Sequence, residues 1–415
     1  MSKKKIWIMN HYATNMYFNE GGRHYWFAEN LIKQGYETTI FCANVRHNTD
    51  DVIDIKDRVY TTGTKEGIPF VFIKTPEYKG NGKSRVNNMI SFYRNLFPVA
   101  KEYSNKYGKP DVILASSVHP LTLVAGIKIA KKFSVPCICE VRDLWPESIV
   151  AYGSLKRKSI IAKVLYQGEK WIYKKANSVI MTWEGGSQYI KDQGWDNQID
   201  LNKVKHISNG VIIDSFDKNS KENQIEDADL NDKNYKNLVY AGSIRRVNNL
   251  GLLLDAAKKI QQKDQQVRFL IYGSGDEKEK LENRCKEEGI NNVIFKGRVE
   301  KRMIPSILKR SYANILHNSS TSLDKYGQSQ NKFFEYLAAG RCVIQTYTTG
   351  YSVLDKYNCG VSASKQNPEE VAKTILEICR DGEKANKMGR NARQAAYEFD
   401  FKKLTNKLIE IIEYV

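Results

Sequence analysis

Asn331-Lys332-Phe333-Phe334-Glu335-Tyr336-Leu337-Ala338-Ala339-Gly340-Arg341 is the stretch on which the fold of this chain turns. It reads as a helix that follows a polar loop, Tyr326 to Asn331, closes at a glycine, and gives way to a strand, Cys342 to Gln345. In a parallel α/β sheet such a loop lies beyond the carboxyl ends of the strands, where ligands bind. A helix start presents free N–H groups to an anion, and Glu335, one turn in and the only acid of the run, can accept hydrogen bonds from a ribose. An ordinary helix with one buried face would fit the same residues, so the rest of the chain has to decide.

Outward from this point, strand, short connection and helix alternate through both halves. In the first half, strands are expected at 5–9, 37–42, 70–74, 112–115, 136–141, 178–181 and 204–207, with helices at 23–33, 121–133 and 156–175. The pattern restarts with strands at 237–241, 267–272, 293–295 and 313–316 and helices at 248–262, 277–288 and 303–308. This order predicts α/β architecture: two Rossmann-like, doubly wound domains facing a cleft. The expected domains are 1–213, a polar acid-rich linker 214–236, a second domain 237–395, and a C-terminal helix 396–415 returning to the first domain.

A chain of 415 residues is too long for one core, which agrees with two domains. It has no run of about 18 apolar residues, so no spanning segment is expected. The N-terminus leads straight into a strand, and the seven cysteines are scattered without a Cys-x-x-Cys, which fits a reduced, cytoplasmic protein. The net charge of +18 points to an anionic partner: nucleic acid, lipid or substrate. No nucleic-acid module or basic arm is present, so nucleic acid is the weaker reading. Two segments, Lys79–Lys109 and Lys156–Lys175, each hold seven basic residues and one acid interleaved with apolar ones. They suit the surface of an anionic membrane, and equally a solvated helix packed on a sheet.

Several loops follow predicted strands. Glu20-Gly21-Gly22-Arg23 precedes the first long helix, and paired glycines there let backbone approach a ligand. Glu140-Val141-Arg142-Asp143-Leu144-Trp145-Pro146-Glu147 crowds four charges at a strand's end, which pair or bind something. His119, in Ser116-Ser117-Val118-His119-Pro120, occupies a strand-to-helix loop. Ala241-Gly242-Ser243-Ile244-Arg245-Arg246 brings arginines suited to a diphosphate. Tyr272-Gly273-Ser274-Gly275-Asp276 and Gly297-Arg298-Val299 close two further strands. The Asp227-x-Asp229 pair lies in the expected linker with no strand before it, so solvated acids and no metal site are expected there.

The 331–341 segment resembles the donor-sugar motif, Glu-x7-Glu, of retaining nucleotide-sugar glycosyltransferases of family four, which have the GT-B architecture. The resemblance makes Glu335 the ribose-binding second acid, while Gly327 stands where the first acid belongs. The 140–147 octapeptide and the His119 loop resemble a subgroup that builds bacterial O-antigens and capsules, typified by N-acetylfucosamine transferases. Gly242, Gly273, Val299, Asn209-Gly210-Val211 and the paired Gly21 and Gly22 fall in the family's order between residue 5 and about 395. Ser243 and Asn248 occupy the positions of the family's usual arginine and lysine, and Arg246 matches the subgroup's basic position.

The resemblance implies a retaining, metal-free transfer of sugar from a nucleoside diphosphate, with UDP favoured, to a glycan on a lipid carrier. The protein would be cytoplasmic, peripheral at the inner face of the membrane. It assigns the diphosphate to Arg246, Lys332 and helix N-termini including Asn331, and a sugar contact to His119. Gly21 and Gly22 would approach from the first domain, and Val299 lies in the loop whose backbone reads the base. Two alternatives remain at this point: a non-hydrolysing sugar-nucleotide epimerase, which needs cleft carboxylates, and a basic membrane or nucleic-acid binding protein with a degenerate site.

Overall fold

Short apolar runs between loops become the strands of two sheets. The computed structural model describes residues 3–47, 49, 51–80, 82–117 and 119–415; Val118 of the His119 loop lies outside them. The chain divides into two units, Met1–Ser208 with Leu404–Val415, and Asn209–Lys403.

The first unit's sheet has eight strands: β1 (Lys5–Met9), β2 (Glu37–Ala43), β3 (Tyr60–Lys65), β4 (Ile68–Ile73), β5 (Val112–Ser116), β6 (Cys137–Val141), β7 (Ser178–Met181) and β8 (Val204–His206). Their order is β3-β4-β2-β1-β5-β6-β7-β8, and all pairs are parallel except β3 with β4. Helices cover both faces, so a strand such as β5 is buried at every residue instead of alternating. The second unit has β9 (Lys236–Ala241), β10 (Val267–Tyr272), β11 (Val293–Gly297), β12 (Ala313–Leu316), β13 (Cys342–Gln345) and β14 (Gly360–Ser362). They form a wholly parallel sheet in the order β11-β10-β9-β12-β13-β14.

Both sheets therefore change winding direction beside a central strand, between β1 and β5 in one and between β9 and β12 in the other. That is where an open α/β sheet leaves a crevice at its strands' carboxyl ends. The helix Asn331–Ala338 stands between β12 and β13, anchored by Phe333, Phe334, Tyr336 and Leu337, all buried. Truncating Leu337 to alanine would cost about 2–5 kcal/mol, the usual range for a core leucine, which is why the helix start is fixed in place.

Three features differ from the sequence reading. β3 was not expected: it joins β4 through a tight hairpin at Glu66-Gly67, both with positive φ. β14, three residues at the sheet edge, was also missed. The expected linker 214–236 carries two helices, Ile213–Glu222 and Ala228–Asn231. Ile213, Phe216 and Leu230 pack into the second unit's core, so a few widely spaced apolar residues among many acids suffice to fix it. The last helix, Phe401–Tyr414, belongs to the first unit from Leu404 onward. Among the described residues no helix is long and apolar enough to cross a membrane.

Candidate active site

Two opposite charges one turn apart, Lys332 and Glu335, lie half-buried at the start of Asn331–Ala338 and do not pair with each other. The Lys332 ammonium sits 4.5 Å from the centre of the Tyr240 ring and donates to the His317 carbonyl at 3.2 Å. No carboxylate pairs with it among the described residues, and burial lowers its pKa to about 8. The Glu335 carboxylate makes no hydrogen bond or ion pair among the described residues; burial raises its pKa, opposed by Lys301. The helix has no side-chain cap; the Phe333 amide donates to the Gln330 carbonyl at 3.1 Å, and the N–H groups of Asn331, its exposed first residue, and Lys332 have no partner among the described residues. A cation without a counter-ion, an unused carboxylate and an uncapped helix start together favour an anion bearing hydroxyl groups.

The surroundings hold this arrangement rigidly. Tyr336 Oη accepts from the Ala241 amide at 2.9 Å, fixing the helix to the end of β9. His317, directly after β12, is neutral: burial lowers its pKa to about 4, its Nε2 donates to the Asn249 carbonyl at 2.9 Å, and its Nδ1 meets Thr346 Oγ1 at 2.6 Å.

The loop before the helix is locked by amides that the sequence reading missed. Gln330 Nε2 donates to Asn318 Oδ1 and Tyr347 Oη, both at 2.7 Å, and Gln328 Nε2 donates to the buried Gln345 Oε1 at 2.7 Å. Asn209 donates from its backbone to Ser329 Oγ at 2.8 Å and from Nδ2 to the Ser329 carbonyl at 2.6 Å, which gives Asn209-Gly210-Val211 a place in this loop. Gly327 has φ +101°, a conformation that L side chains rarely adopt. An acid at 327 would strain this loop, and that accounts for its absence.

Gly242 and Gly273 have a structural reason of their own. The Gly242 amide donates to the Tyr272 carbonyl at 2.9 Å and the Gly273 amide to the Gly297 carbonyl at 2.8 Å, extending three strands into their loops. A Cβ at Gly273, φ +154°, would lie 1.8 Å from the Gly242 oxygen. Val299 packs against the core cluster under the site helix. Arg246 is exposed in a short 3-10 turn after β9. Within this unit, then, Gly242, Lys332 and Glu335 gather at the strand ends, Arg246 and Val299 stand on adjoining loops, and Asn331 opens the helix.

In the first unit, His119 caps the helix Pro120–Phe133 and is buried. Its Nε2 meets Nδ1 of His11, which follows β1, at 2.7 Å. Burial, then Arg85, lowers the pKa of His119 to about 3, so it is neutral at physiological pH. Its Nδ1 is buried without a hydrogen-bond partner among the described residues. His11 stacks between Tyr12 and Phe92, with ring centres 4.5 and 4.4 Å away. This histidine pair is invisible in the sequence, because residues 11 and 119 meet only when β1 and β5 pair.

Two of the octapeptide's four charges, Glu140 and Glu147, pair inside this unit. Glu140 is buried and accepts from Arg23 Nε, His24 Nε2 and Ser116 Oγ, each at 2.7 Å. Burial alone would raise its pKa, yet Arg23 and His24 hold it well below the usual carboxylate range. Its ion-pair partner is therefore Arg23, from outside the octapeptide, while the Nε of Arg142 is buried and unsatisfied. Glu147 accepts from Arg157 and from Tyr166 Oη. Gly21 and Gly22 lead into the helix that carries Arg23; Gly22 has φ +129°, and a Cβ there would meet Met16 at 2.9 Å.

Asp227 and Asp229 are not solvated acids. Lys296 bridges them at 2.8 Å each, Tyr272 Oη donates to Asp227 at 2.7 Å, and Arg268 pairs with Asp229. Their charges are spent within the fold. Among the described residues no group of three His, Cys, Asp or Glu is placed to hold a metal ion.

Residues 25–215 match the family described as Glycosyltransferase Family 4, and residues 220–395 match Glycosyl transferases group 1. An uncharacterized glycosyltransferase of Methanocaldococcus jannaschii is 22% identical over 326 residues, 78% of this chain and 81% of that protein. Among solved structures, sucrose-phosphate synthase from Thermosynechococcus elongatus superposes with a TM-score of 0.72 at 16% identity, covering 99% of both chains. HepE of Anabaena, solved in complex with UDP, superposes with a TM-score of 0.68 at 13% identity, covering 100% of both. At such identities the two structures speak to the fold, which is GT-B.

Proposed function

We propose that this chain, a GT-B glycosyltransferase of the superfamily that unites the two matched families, is a retaining enzyme taking its sugar from a UDP-linked donor. The acceptor in this reading is a glycan on a lipid carrier, in the synthesis of a bacterial surface polysaccharide, at the cytoplasmic face of the membrane. The observation that carries the reading is the unpaired Lys332 beside the unpaired Glu335 at an uncapped helix start. A nucleoside diphosphate satisfies all three at once. Its phosphates meet the ammonium and N–H groups, and its ribose hydroxyls donate to the carboxylate.

Bond cleavage leaves negative charge on the diphosphate, so the rate depends on cations and oriented N–H groups more than on an acid. Lys332 is poised for this, because the departing negative charge stabilises the ammonium that burial disfavours. Arg246, exposed on its turn, supplies a second cation. The backbone after Gly242 and Gly273 allows close approach of the phosphates, and the loop at Val299 faces the base. His119, with His11, is assigned to a sugar hydroxyl. UDP is favoured by the ligand named for HepE. The octapeptide supports placing the chain in the N-acetylfucosamine transferase subgroup.

Calorimetric titration with UDP, GDP and ADP tests the reading. UDP should bind, and GDP and ADP more weakly; no heat with any of the three removes the donor site. With a UDP-sugar and acceptor, proton NMR should show the anomeric configuration kept in the product, and inversion would refute retention.

A further inference from the structure

The helix Ile160–Lys175 is apolar on two faces. Its inner face buries Ala162, Ile172 and Tyr173. Its outer face leaves Ile160 80%, Ile161 64%, Val164 64% and Trp171 37% exposed. At about 100° per residue, Ile160, Val164 and Trp171 fall on one narrow stripe, with Ile161 along its margin. Lys163, Lys170 and Lys174 line the opposite margin, and exposed Lys156 and Lys158 precede the helix. Its one acid, Glu169, turns inward, accepting from Tyr173 and Tyr189 at 2.7 and 2.8 Å. Scattered exposed aliphatics need no explanation, but three β-branched residues and a tryptophan aligned on one helix do.

We propose that this face docks on an anionic phospholipid bilayer. The aliphatic stripe suits the acyl boundary, tryptophan the headgroup level, and the lysine row the lipid phosphates. The basic character continues through the same layer, where the helix Pro120–Phe133 packs against both Ile160–Lys175 and Lys83–Tyr107. There a cavity of about 490 Å³ is lined by Tyr93, Phe97, Lys128, Lys131 and Lys132. On the helix Lys83–Tyr107, Phe92, Leu96, Val99 and Tyr103 face the core, while Ile90, Tyr93 and Phe97 are half-buried and Val86 is exposed. Ile160–Lys175 carries the more exposed stripe, and the contact is assigned to it. A second copy of this chain would set lysine row against lysine row, and nucleic acid would leave the isoleucines in water. The surface draws on none of the residues assigned to the nucleotide.

Flotation of the full chain with vesicles tests this. Wild type should float with phosphatidylglycerol-containing vesicles at low salt, poorly with phosphatidylcholine alone, and much less at about 1 M salt, where the Debye length is about 3 Å. Ile160→Ser/Ile161→Ser/Val164→Ser should abolish flotation. Lys163→Gln/Lys170→Gln/Lys174→Gln should weaken it on the order of a hundredfold, about fivefold per lysine. Both variants should keep the wild-type circular dichroism and UDP affinity, so a failed donor reading is recognised separately. Failure of wild type to float overturns the proposal. So does wild-type flotation by the serine variant, or a wild-type dimer that the serine variant converts to monomer.

Discussion

Replacing Lys332 with methionine keeps the length of the side chain and its packing on Tyr240 but removes the charge. An ammonium whose pKa falls from 10.5 to about 8 is disfavoured by at most about 3 kcal/mol. Because Lys332 is only half-buried, water screens much of this, and the variant should gain about 1 kcal/mol at pH 7, a rise of about 2–4 °C in the melting of the second unit. The folded pKa lies below the unfolded one, so wild-type stability rises as pH climbs from about 8 towards 10.5; the methionine variant lacks that rise. Ligand binding should move the other way. A lost charge-assisted contact costs about 1.5–3 kcal/mol, roughly ten- to hundredfold in the Kd for UDP. UDP favours the protonated lysine, so wild-type affinity should fall by up to about tenfold per pH unit above pH 8, while the variant stays flat. Calorimetry between pH 7 and 10 and thermal unfolding read both effects. A variant that binds UDP as wild type, with a parallel pH profile, refutes the phosphate assignment; one that loses stability shows the ammonium to be structural.

Glu335→Ala should cost about 2–4 kcal/mol in kcat/KM without lowering Tm, measured by UDP release, and unchanged turnover and UDP affinity would remove Glu335 from the donor site. Glu140→Ala removes the carboxylate that balances the buried Arg23 charge and should destabilise the first unit by about 3–5 kcal/mol in denaturant titration. The pKa of Glu140 is held low, so its stabilisation is present above the unfolded value of 4.5 and is lost as pH falls through the folded one. Glu169 behaves oppositely: burial pushes its pKa up to about 8, so wild type should lose stability between pH 4.5 and 8 relative to Glu169→Gln, and parallel Tm curves would contradict this. Activity should survive excess chelator, because Asp227 and Asp229 are occupied by Lys296 and Arg268; loss that added magnesium restores would show a metal in the reaction.

The regular elements were legible where apolar runs are unbroken, as in β1, β7, β10 and the helix Arg23–Lys33, each found at its expected bounds. β3 was hidden by its Thr- and Gly-containing, half-exposed sequence, and Glu66-Gly67 is not among the usual two-residue hairpin pairs. The helices at 213–231 were hidden because a few apolar residues anchor a highly charged stretch. In the candidate site, Lys332 and Glu335 stood out as helix-start charges, but their lack of partners is a fact of packing that no spacing reveals. The Glu140–Arg23–His24 and His11–His119 contacts join residues about 110 positions apart, and the topology alone brings them together.

Hydrogen–deuterium exchange with and without saturating UDP tests the central claim, that the nucleotide sits at the carboxyl ends of β9 and β12 against the helix Asn331–Ala338. The account predicts that UDP slows exchange in Ala241–Asn248, Gly297–Lys301 and Gln328–Glu335 and that Lys332→Met removes the effect. Protection confined to other segments, or to none, would contradict it.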